Sequence, residues 1–286
     1  MSHANWLKEV DTRTYSTRPP SRQLSDPVVA HIHVPKCGGT AFRNFLQNHF
    51  GSAHLALYVH DTFFVYSEDE LAGYIKDRAV LGFSSHFVRT FPERLAGRDL
   101  IYVTFLRNPV DQFISYVTFA KKNYLGLQVD KPLMGCLPPD LPSLSIREAA
   151  RWILTQDTEV NFRENFTVNY FARYGLKREA GQPNNDVYYR QNRLAAAQRI
   201  LQTFFFVGVI EQMERSMSLL RQLMGQCNLD FPPGEVPVDN TSFDFRGDLS
   251  WIRMDDEVGS LLLESIREDQ QLYNWAEARV RDLKLS

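Results

Sequence analysis

The sequence predicts an α/β fold in which helices flank a central parallel sheet. Two predominantly apolar runs, Val28–Val34 and Leu100–Leu106, have the composition of strands buried inside such a sheet. A helix-starting signal follows each run: two glycines after the first, and Asn108–Pro109 after the second. Strands that alternate with helices in this way indicate a parallel sheet with crossover helices.

The same alternation continues along the chain. Residues 125–144, rich in Pro, Leu and Gly, are expected to form a long loop. Hydrophobic spacing and capping residues predict several further elements: a helix that Gly51 ends, a short strand at Ala79–Phe83, a helix from Pro109 to about Tyr124, a helix opened by the capping box Ser145/Glu148, a helix near 190–202, a strand at Phe204–Val209, a helix over 211–224, and one long C-terminal helix opened by Asp255 and Asp256.

Length and composition fit one large domain or two small ones. The 286 residues are 44% hydrophobic and 23% charged, which is ordinary for a globular protein. Residues 1–26, rich in Ser, Thr, Arg and Pro, are predicted to be a flexible N-terminal arm, and residues 27–286 a single domain. The formal net charge is −2, so an anionic ligand needs a local cationic site, and nucleic acid is not an expected partner.

The cysteines and the apolar segments indicate the cellular compartment in which the protein is expected. Cys37, Cys136 and Cys227 lie far apart and match no metal-binding or redox spacing, which is typical of a reducing compartment. The N-terminus lacks the apolar core of a signal peptide, and no apolar run reaches the roughly 20 residues that a membrane span needs. We therefore expect a soluble, cytoplasmic protein without a membrane span or a metal, in an oligomeric state that the sequence leaves open.

The run VPKCGGTAF joins the first predicted strand to a helix. In such a loop the backbone N–H groups of Gly38 and Gly39 converge on one point, and the helix dipole adds positive charge there. Lys36 supplies a full charge and Thr40 a hydroxyl, so the run predicts a cradle for phosphate or sulfate. The lysine precedes the glycines, unlike the lysine of a nucleoside-triphosphatase GxxxxGK[ST] loop. A tight turn with a solvent-facing lysine is the alternative.

A second candidate site follows the second apolar strand. Arg107 stands at the carboxyl end of that strand, where open α/β sheets bind ligands, and Ser115 lies about two turns into the next helix. A guanidinium is always charged and binds phosphate through two hydrogen bonds. The alternative is that Arg107 forms a structural ion pair and Ser115 faces solvent.

Both segments resemble those of sulfotransferases that use 3′-phosphoadenosine-5′-phosphosulfate (PAPS). The branch is the carbohydrate one, of the heparan 2-O and chondroitin type. HVPKCGGTAF is similar to its 5′-phosphosulfate loop, P-K-[TSC]-G-[GS]-[TS], and FLRNPVDQFIS to its 3′-phosphate segment, [LV]-R-[DN]-P-[VL]-x-R-x-x-S, with Gln112 in place of the second arginine. The resemblance implies a P-loop-like three-layer fold. It also implies these PAPS-binding residues: Lys36, Cys37, Gly38, Gly39, Thr40, Ala41, Arg107 and Ser115.

The candidate base also rests on the resemblance. LGFSSHFVRTFP resembles a family segment that reads G-H-[FV], which aligns His86 with a histidine proposed as general base. The ordinary histidine pKa, about 6.5, suits that role. A structural histidine is the alternative, and His60 is the second candidate. His31 and His33 alternate on the first strand and are interpreted as packing or supporting residues. Cys37 as a nucleophile at a helix N-terminus is a further alternative without an evident partner.

The resemblance implies in-line transfer of the sulfuryl group of PAPS to a hydroxyl or an amine of a carbohydrate or small-molecule acceptor. In this hypothesis Lys36 and Thr40 hold the transferring group, and His86 deprotonates the acceptor. The alternatives are another nucleotide-dependent phosphotransferase and a non-catalytic anion- or nucleotide-binding protein. Segments 125–144 and 52–75 are expected to contact the acceptor. A weaker resemblance, to D-N-x-Q-T-R at residues 164–169, has Thr167 and Asn169 at the Gln and Arg positions.

Overall fold

The computed structural model describes residues 26–58, 66–122, 138–155, 164–179, 186–229, 231 and 248–283, with backbone alone for 173–179 and 186–190. Within these ranges the strands are β1 (Val28–Ile32), β2 (His54–Leu57), β3 (Gly82–Ser85), β4 (Arg94–Leu95), β5 (Arg98–Leu106) and β6 (Phe206–Val209). The α-helices there are α1 (Gly39–Phe50), α2 (Glu68–Ile75), α3 (Pro109–Lys122), α4 (Ile146–Thr155), α5 (Phe166–Glu179), α6 (Asp186–Thr203), α7 (Met213–Gln226), α8 (Glu257–Ser265) and α9 (Arg267–Asp282).

Five of the strands pair in parallel in the order β2-β3-β1-β5-β6. The short β4 pairs antiparallel with the first residues of β5, where Arg94 lies opposite Asp99. Each parallel neighbour is reached through intervening helices, which flank the sheet. The predicted α/β fold with a central parallel sheet is therefore confirmed at this level.

The order of the strands reverses between β1 and β5. From β1 the chain passes through α1 to β2, on the β3 side of the sheet, whereas from β5 it passes through α3 and later helices to β6, on the other side. Connections that leave two neighbouring strands in opposite directions open a crevice outside their carboxyl ends, and open α/β sheets bind ligands in that crevice. The topology therefore indicates a binding crevice outside the carboxyl ends of β1 and β5.

Apolar burial explains why these segments form the sheet. Every residue of β1 and of β5 is buried, including Phe105 and Val103, and the large side chains of α1 such as Phe42 pack on the same core. A second apolar cluster joins α3, α4 and α8 through residues such as Val117 and Ile153. The second cluster holds α3 at the end of β5, and α3 in turn borders the crevice.

The C-terminal segment differs from its prediction. One long helix was expected, and this was wrong, because the chain forms α8 and α9 with a break at Ile266. A partner distant in sequence stabilises the break. The Asn165 side-chain oxygen accepts the N–H groups of Glu268 and Asp269, and the Asp269 carboxylate accepts those of Thr167 and Val168. The N-termini of α5 and α9 thus cap each other.

Arg98 joins β5 to the connection between α2 and β3. Its side chain is only 1% exposed and donates to the carbonyl oxygens of Ile75, Asp77 and Val80 at 3.0, 3.1 and 2.6 Å. It also forms an ion pair with Asp26 at 3.0 Å. The same carboxylate pairs with Arg78, whose side chain is 79% exposed. One aspartate therefore has one buried and one solvent-exposed arginine partner.

We expect Arg98→Met to lower the free energy of unfolding by about 3 kcal/mol, because buried carbonyl groups lose their donor. The matched control, Arg78→Met, removes only an exposed ion pair and should change stability by less than about 1 kcal/mol. Urea unfolding followed by circular dichroism measures both values. Equal losses from the two variants would contradict the structural role given to Arg98.

Candidate functional site

The carboxyl ends of four neighbouring strands bring polar side chains together along one edge of the sheet. Tyr58 follows β2, His86 follows β3, His33 follows β1 and Arg107 follows β5. The two predicted anion-binding segments meet there, since Nη1 of Arg107 lies 3.2 Å from the carbonyl oxygen of Lys36. The predicted residues after β1, β3 and β5 thus lie at one edge, at the reversal of strand order.

The loop between β1 and α1 has the backbone of an anion cradle. Lys36 and Gly38 both adopt left-handed conformations, with φ of 64° and 63°, and the chain turns abruptly into α1. Among the described residues, no acceptor is found for the backbone N–H groups of Gly38, Gly39 and Thr40. Free N–H groups at the positive end of a helix attract anions. A left-handed lysine is also uncommon, and such backbone strain clusters at ligand sites.

Close packing explains both glycines of the loop. A Cβ atom at Gly38 would lie 2.7 Å from Cδ1 of Ile210, in the turn after β6. At Gly39 it would overlap the imidazole ring of His33. Larger residues are therefore excluded by protein neighbours in addition to any close approach of a ligand. The glycine positions that the sequence singled out are required by the geometry of the loop itself.

Gln112 holds the loop from the side of α3. This buried side chain donates through Nε2 to the carbonyl oxygen of Pro35 at 2.9 Å, and its Oε1 accepts the Thr167 hydroxyl at 2.9 Å. Gln112 and Thr167 are two of the positions where the sequence departs from the family motifs, and they contact each other. The glutamine therefore positions the loop here, and α5 supports it through the threonine.

Two cations, Lys36 and Arg107, lie at the carboxyl ends of β1 and β5. Burial, and next the nearby Arg107, lower the pKa of Lys36 to about 8. The Lys36 ammonium lies 4.4 Å from the ring centroid of Phe119. Within the described part of the chain, neither Lys36 nor Arg107 forms an ion pair with an acidic residue. Two mutually repelling cations beside a helix N-terminus make a site that an anion would stabilise.

The remaining residues predicted around the cradle differ in exposure. Thr40 is partly exposed in the first turn of α1, whereas Ala41 and Ser115 are buried. Cys37 is 1% exposed, and burial raises the pKa of its thiol well above the ordinary value. A buried thiol with a raised pKa forms little thiolate, so the geometry does not favour a cysteine nucleophile. The backbone N–H group of Cys37 donates to the carbonyl oxygen of Val34 at 3.2 Å, and its side chain belongs to the core, so Cys37 offers a ligand neither a thiolate nor a free N–H group.

His86 has a fixed tautomer. Its Nδ1 lies 2.5 Å from the carbonyl oxygen of His33. A carbonyl can only accept, so Nδ1 carries the proton and Nε2 keeps its lone pair. The hydroxyl of Tyr170 donates to the carbonyl oxygen of His86 at 2.8 Å and holds its backbone. Burial lowers the pKa of His86 to about 4, so the imidazole is neutral at physiological pH. A neutral imidazole with an available Nε2 is able to accept a proton.

Other histidines form a polar network that the sequence did not predict. Nδ1 of His31 and Nε2 of His54 lie 2.9 and 3.0 Å from the Ser84 hydroxyl. Nδ1 of His33 lies 2.7 Å from the hydroxyl of Tyr58. The packing interpretation fits His31, whereas His33 also reaches the site edge. The usable signal was the position of a polar residue directly after each strand, which singles out Tyr58.

Several predicted contacts lie outside the described residues. These are His60, Cys136, residues 123–137 of the expected acceptor loop and the part of segment 52–75 that spans 59–65. Among the described helices none is long and apolar enough to cross a membrane. In the same part of the chain, no three His, Cys, Asp or Glu residues are grouped as metal ligands. No protein-family model matches the chain, and no curated protein is significantly similar to it.

Because Lys36 is a desolvated cation beside another cation, Lys36→Met should stabilise the ligand-free protein. We expect the melting temperature at pH 7 to rise by about 2–4 °C, the shift that about 1 kcal/mol produces in a domain of 150–250 residues. The folded-state pKa, about 8, lies below the ordinary value. The destabilisation is therefore full below pH 8 and fades as pH rises toward 10, where the folded protein sheds the proton first.

Thermal unfolding at pH 7 and at pH 9.5 measures this difference. The control is Lys76→Met, at the exposed end of α2, which should leave the melting temperature almost unchanged at both pH values. A lower melting temperature for Lys36→Met at pH 7 would mean that the ammonium stabilises the loop. That result would contradict the interpretation that repulsion and burial of the two cations destabilise the ligand-free site.

Proposed function

We propose that the chain is a PAPS-dependent sulfotransferase with a P-loop-like three-layer fold. It would transfer the sulfuryl group to a hydroxyl or an amine of a carbohydrate or small-molecule acceptor. The observation that carries the proposal is the contact between the two anion-binding segments. Arg107 touches the main chain of Lys36 although 71 residues separate them. Both segments also resemble the corresponding PAPS-binding motifs.

The two cations match the two anionic ends of PAPS. The 5′-phosphosulfate would lie at the N-terminus of α1, against the N–H groups of Gly38 and Gly39 and the ammonium of Lys36. The 3′-phosphate would bind Arg107, whose guanidinium suits a phosphate monoester. Ser115, predicted as its second contact, is 4% exposed within α3, so Arg107 is the principal anchor in this proposal.

The proposed transfer is in-line. The acceptor oxygen or nitrogen attacks sulfur as the bond from sulfur to the bridging oxygen breaks, and the electron pair goes to the departing 5′-phosphate. Nε2 of His86 accepts the acceptor proton, and Lys36, Thr40 and the loop N–H groups stabilise the charge that develops on the leaving phosphate. As in phosphoryl transfer, positioning and electrostatics would do most of the catalysis. The product nucleotide is 3′-phosphoadenosine-5′-phosphate (PAP).

Nucleotide selectivity tests the proposal. PAP at about 100 times its dissociation constant should stabilise the protein by about 2.7 kcal/mol, and ATP by much less, because ATP lacks a 3′-phosphate for Arg107. Arg107→Ala should weaken PAP binding by about 1.5–3 kcal/mol. Lys36→Ala should also lower kcat, since the ammonium faces charge that grows during transfer.

The measurements are thermal shift, calorimetry and transfer of ³⁵S from PAPS to a panel of oligosaccharides and metabolites. The control is Arg94→Ala, because Arg94 lies at the opposite, amino end of β5. Equal stabilisation by ATP would favour another nucleotide-dependent phosphotransferase. PAPS binding without transfer to any acceptor would favour a non-catalytic binding protein.

For the base, His86→Ala should lower turnover by roughly 10²–10⁴-fold and leave PAP affinity nearly unchanged. The lowered pKa, about 4, places the acid limb of the rate profile near pH 4, where Nε2 becomes protonated. The rate of the wild-type enzyme should thus vary little with imidazole protonation from pH 6 to 7.5. The control His49→Ala changes an exposed histidine in the last turn of α1. Near-normal turnover in folded His86→Ala would exclude His86 as the base.

A further inference from the structure

The imidazole of His33 lies between Tyr58 and the first residue of α1. Its Nδ1 is 2.7 Å from the Tyr58 hydroxyl. The opposite edge of the ring, formed by Cδ2 and Nε2, faces Gly39 so closely that a Cβ there would overlap both atoms. The side chain is only 5% exposed. One nitrogen is thus engaged, and the other is directed toward the N-terminus of α1.

Nε2 of His33 has no hydrogen-bond partner among the described residues, although the ring is almost fully buried. Nε2 itself is not enclosed by protein atoms, so solvent or a ligand can reach it. This nitrogen lies against Gly39, the first residue of α1, whose backbone N–H group also has no acceptor in the described ranges. Two groups without a partner, Nε2 of His33 and the N–H of Gly39, therefore lie together at the start of α1.

The direction of the hydrogen bond between Tyr58 and His33 sets the tautomer of the imidazole. Burial raises the pKa of Tyr58 above the ordinary value, so its hydroxyl keeps a proton to donate. Burial, and next the neighbouring His86, lower the pKa of His33, so the ring is neutral. When Tyr58 donates to Nδ1, the single ring proton is on Nε2. The ring then presents a neutral N–H donor toward the start of α1.

We propose that His33, held in its Nε2–H tautomer by Tyr58, donates a hydrogen bond to an oxygen of a tetrahedral oxyanion bound at the N-terminus of α1. Resting on the proposed function, that oxyanion is the 5′-phosphosulfate of PAPS. A neutral donor suits this position. The ring centroids of His33 and His86 are 4.1 Å apart, so a positive charge on His33 would oppose proton uptake by His86. The same residue orients His86 through its carbonyl group.

The direct test is ¹⁵N NMR of histidine-labelled wild-type protein, which needs no substitution in the crevice. In the free protein we expect His33 to have a protonated Nε2 and a bare Nδ1. Inorganic pyrophosphate is small enough to bind the loop before α1 without reaching the proposed 3′-phosphate site. Both pyrophosphate and PAP should shift the Nε2–H resonance. A histidine that only packs would show no shift with either anion. Absence of a shift with both would overturn the inference whatever the affinity for PAP.

Substitutions supply the second measurement. His33→Leu should weaken pyrophosphate binding about tenfold, the equivalent of one hydrogen bond. His33→Gln retains an N–H donor near Nε2 and should stay within about threefold of the wild type. Tyr58→Phe removes only the hydroxyl that selects the tautomer and should mix the two histidine tautomers. Equal pyrophosphate affinity in wild type and folded His33→Leu would also overturn the inference. If pyrophosphate shifts the Nε2–H resonance but PAP does not bind, the role of His33 as an oxyanion donor stands and the PAPS-dependent function is rejected.

Discussion

The parallel pairing of β1 with β5 brings the two cationic segments together, and most of the site depends on it. The pairing runs from Val28 opposite Leu100 to His31 opposite Val103, and the Thr104 hydroxyl donates to the carbonyl oxygen of Ile32 at 2.7 Å. This register makes both strands end at one level. The loop that holds Lys36 and the start of α3 then lie side by side, whichever ligand they bind. Without that register the two cations would belong to separate surfaces.

Features with a local cause could be predicted from the sequence. Continuous apolar runs gave β1 and β5, and the capping pair Ser145/Glu148 gave the start of α4, which the structure confirms with hydrogen bonds in both directions. The loop between β1 and α1 could be predicted because the strand, the two glycines and the helix follow one another directly in the sequence. In each case neighbours in the chain create the physical signal, so a single sequence contains it.

Features with a distant cause could not be predicted. The break between α8 and α9 depends on Asn165, whose side-chain oxygen caps a helix 103 residues away. Gln112 and Thr167, which support the loop before α1, are 55 residues apart in the sequence. Neither residue type indicates that the other is its partner. β2 is a four-residue strand with a mixed pattern, too short for periodicity to identify. The partners of His33 and His86 follow from sheet order, which the composition of a strand does not specify.

The anchoring of the cradle also constrains the order of events during synthesis. Ile210, after β6, packs over Gly38, and Thr167, whose backbone N–H bonds to Asp269, supports the same loop through Gln112. An N-terminal fragment that ends before β6 contains every cationic group of the site together with Gln112 and Thr167, but it lacks Ile210 and Asp269. It also leaves one edge of β5 without its neighbour, and such an edge invites pairing with other chains. A growing chain emerges from its N-terminus, so a ligand of this crevice can stabilise the chain fully only after α9, which contains Asp269, has left the ribosome.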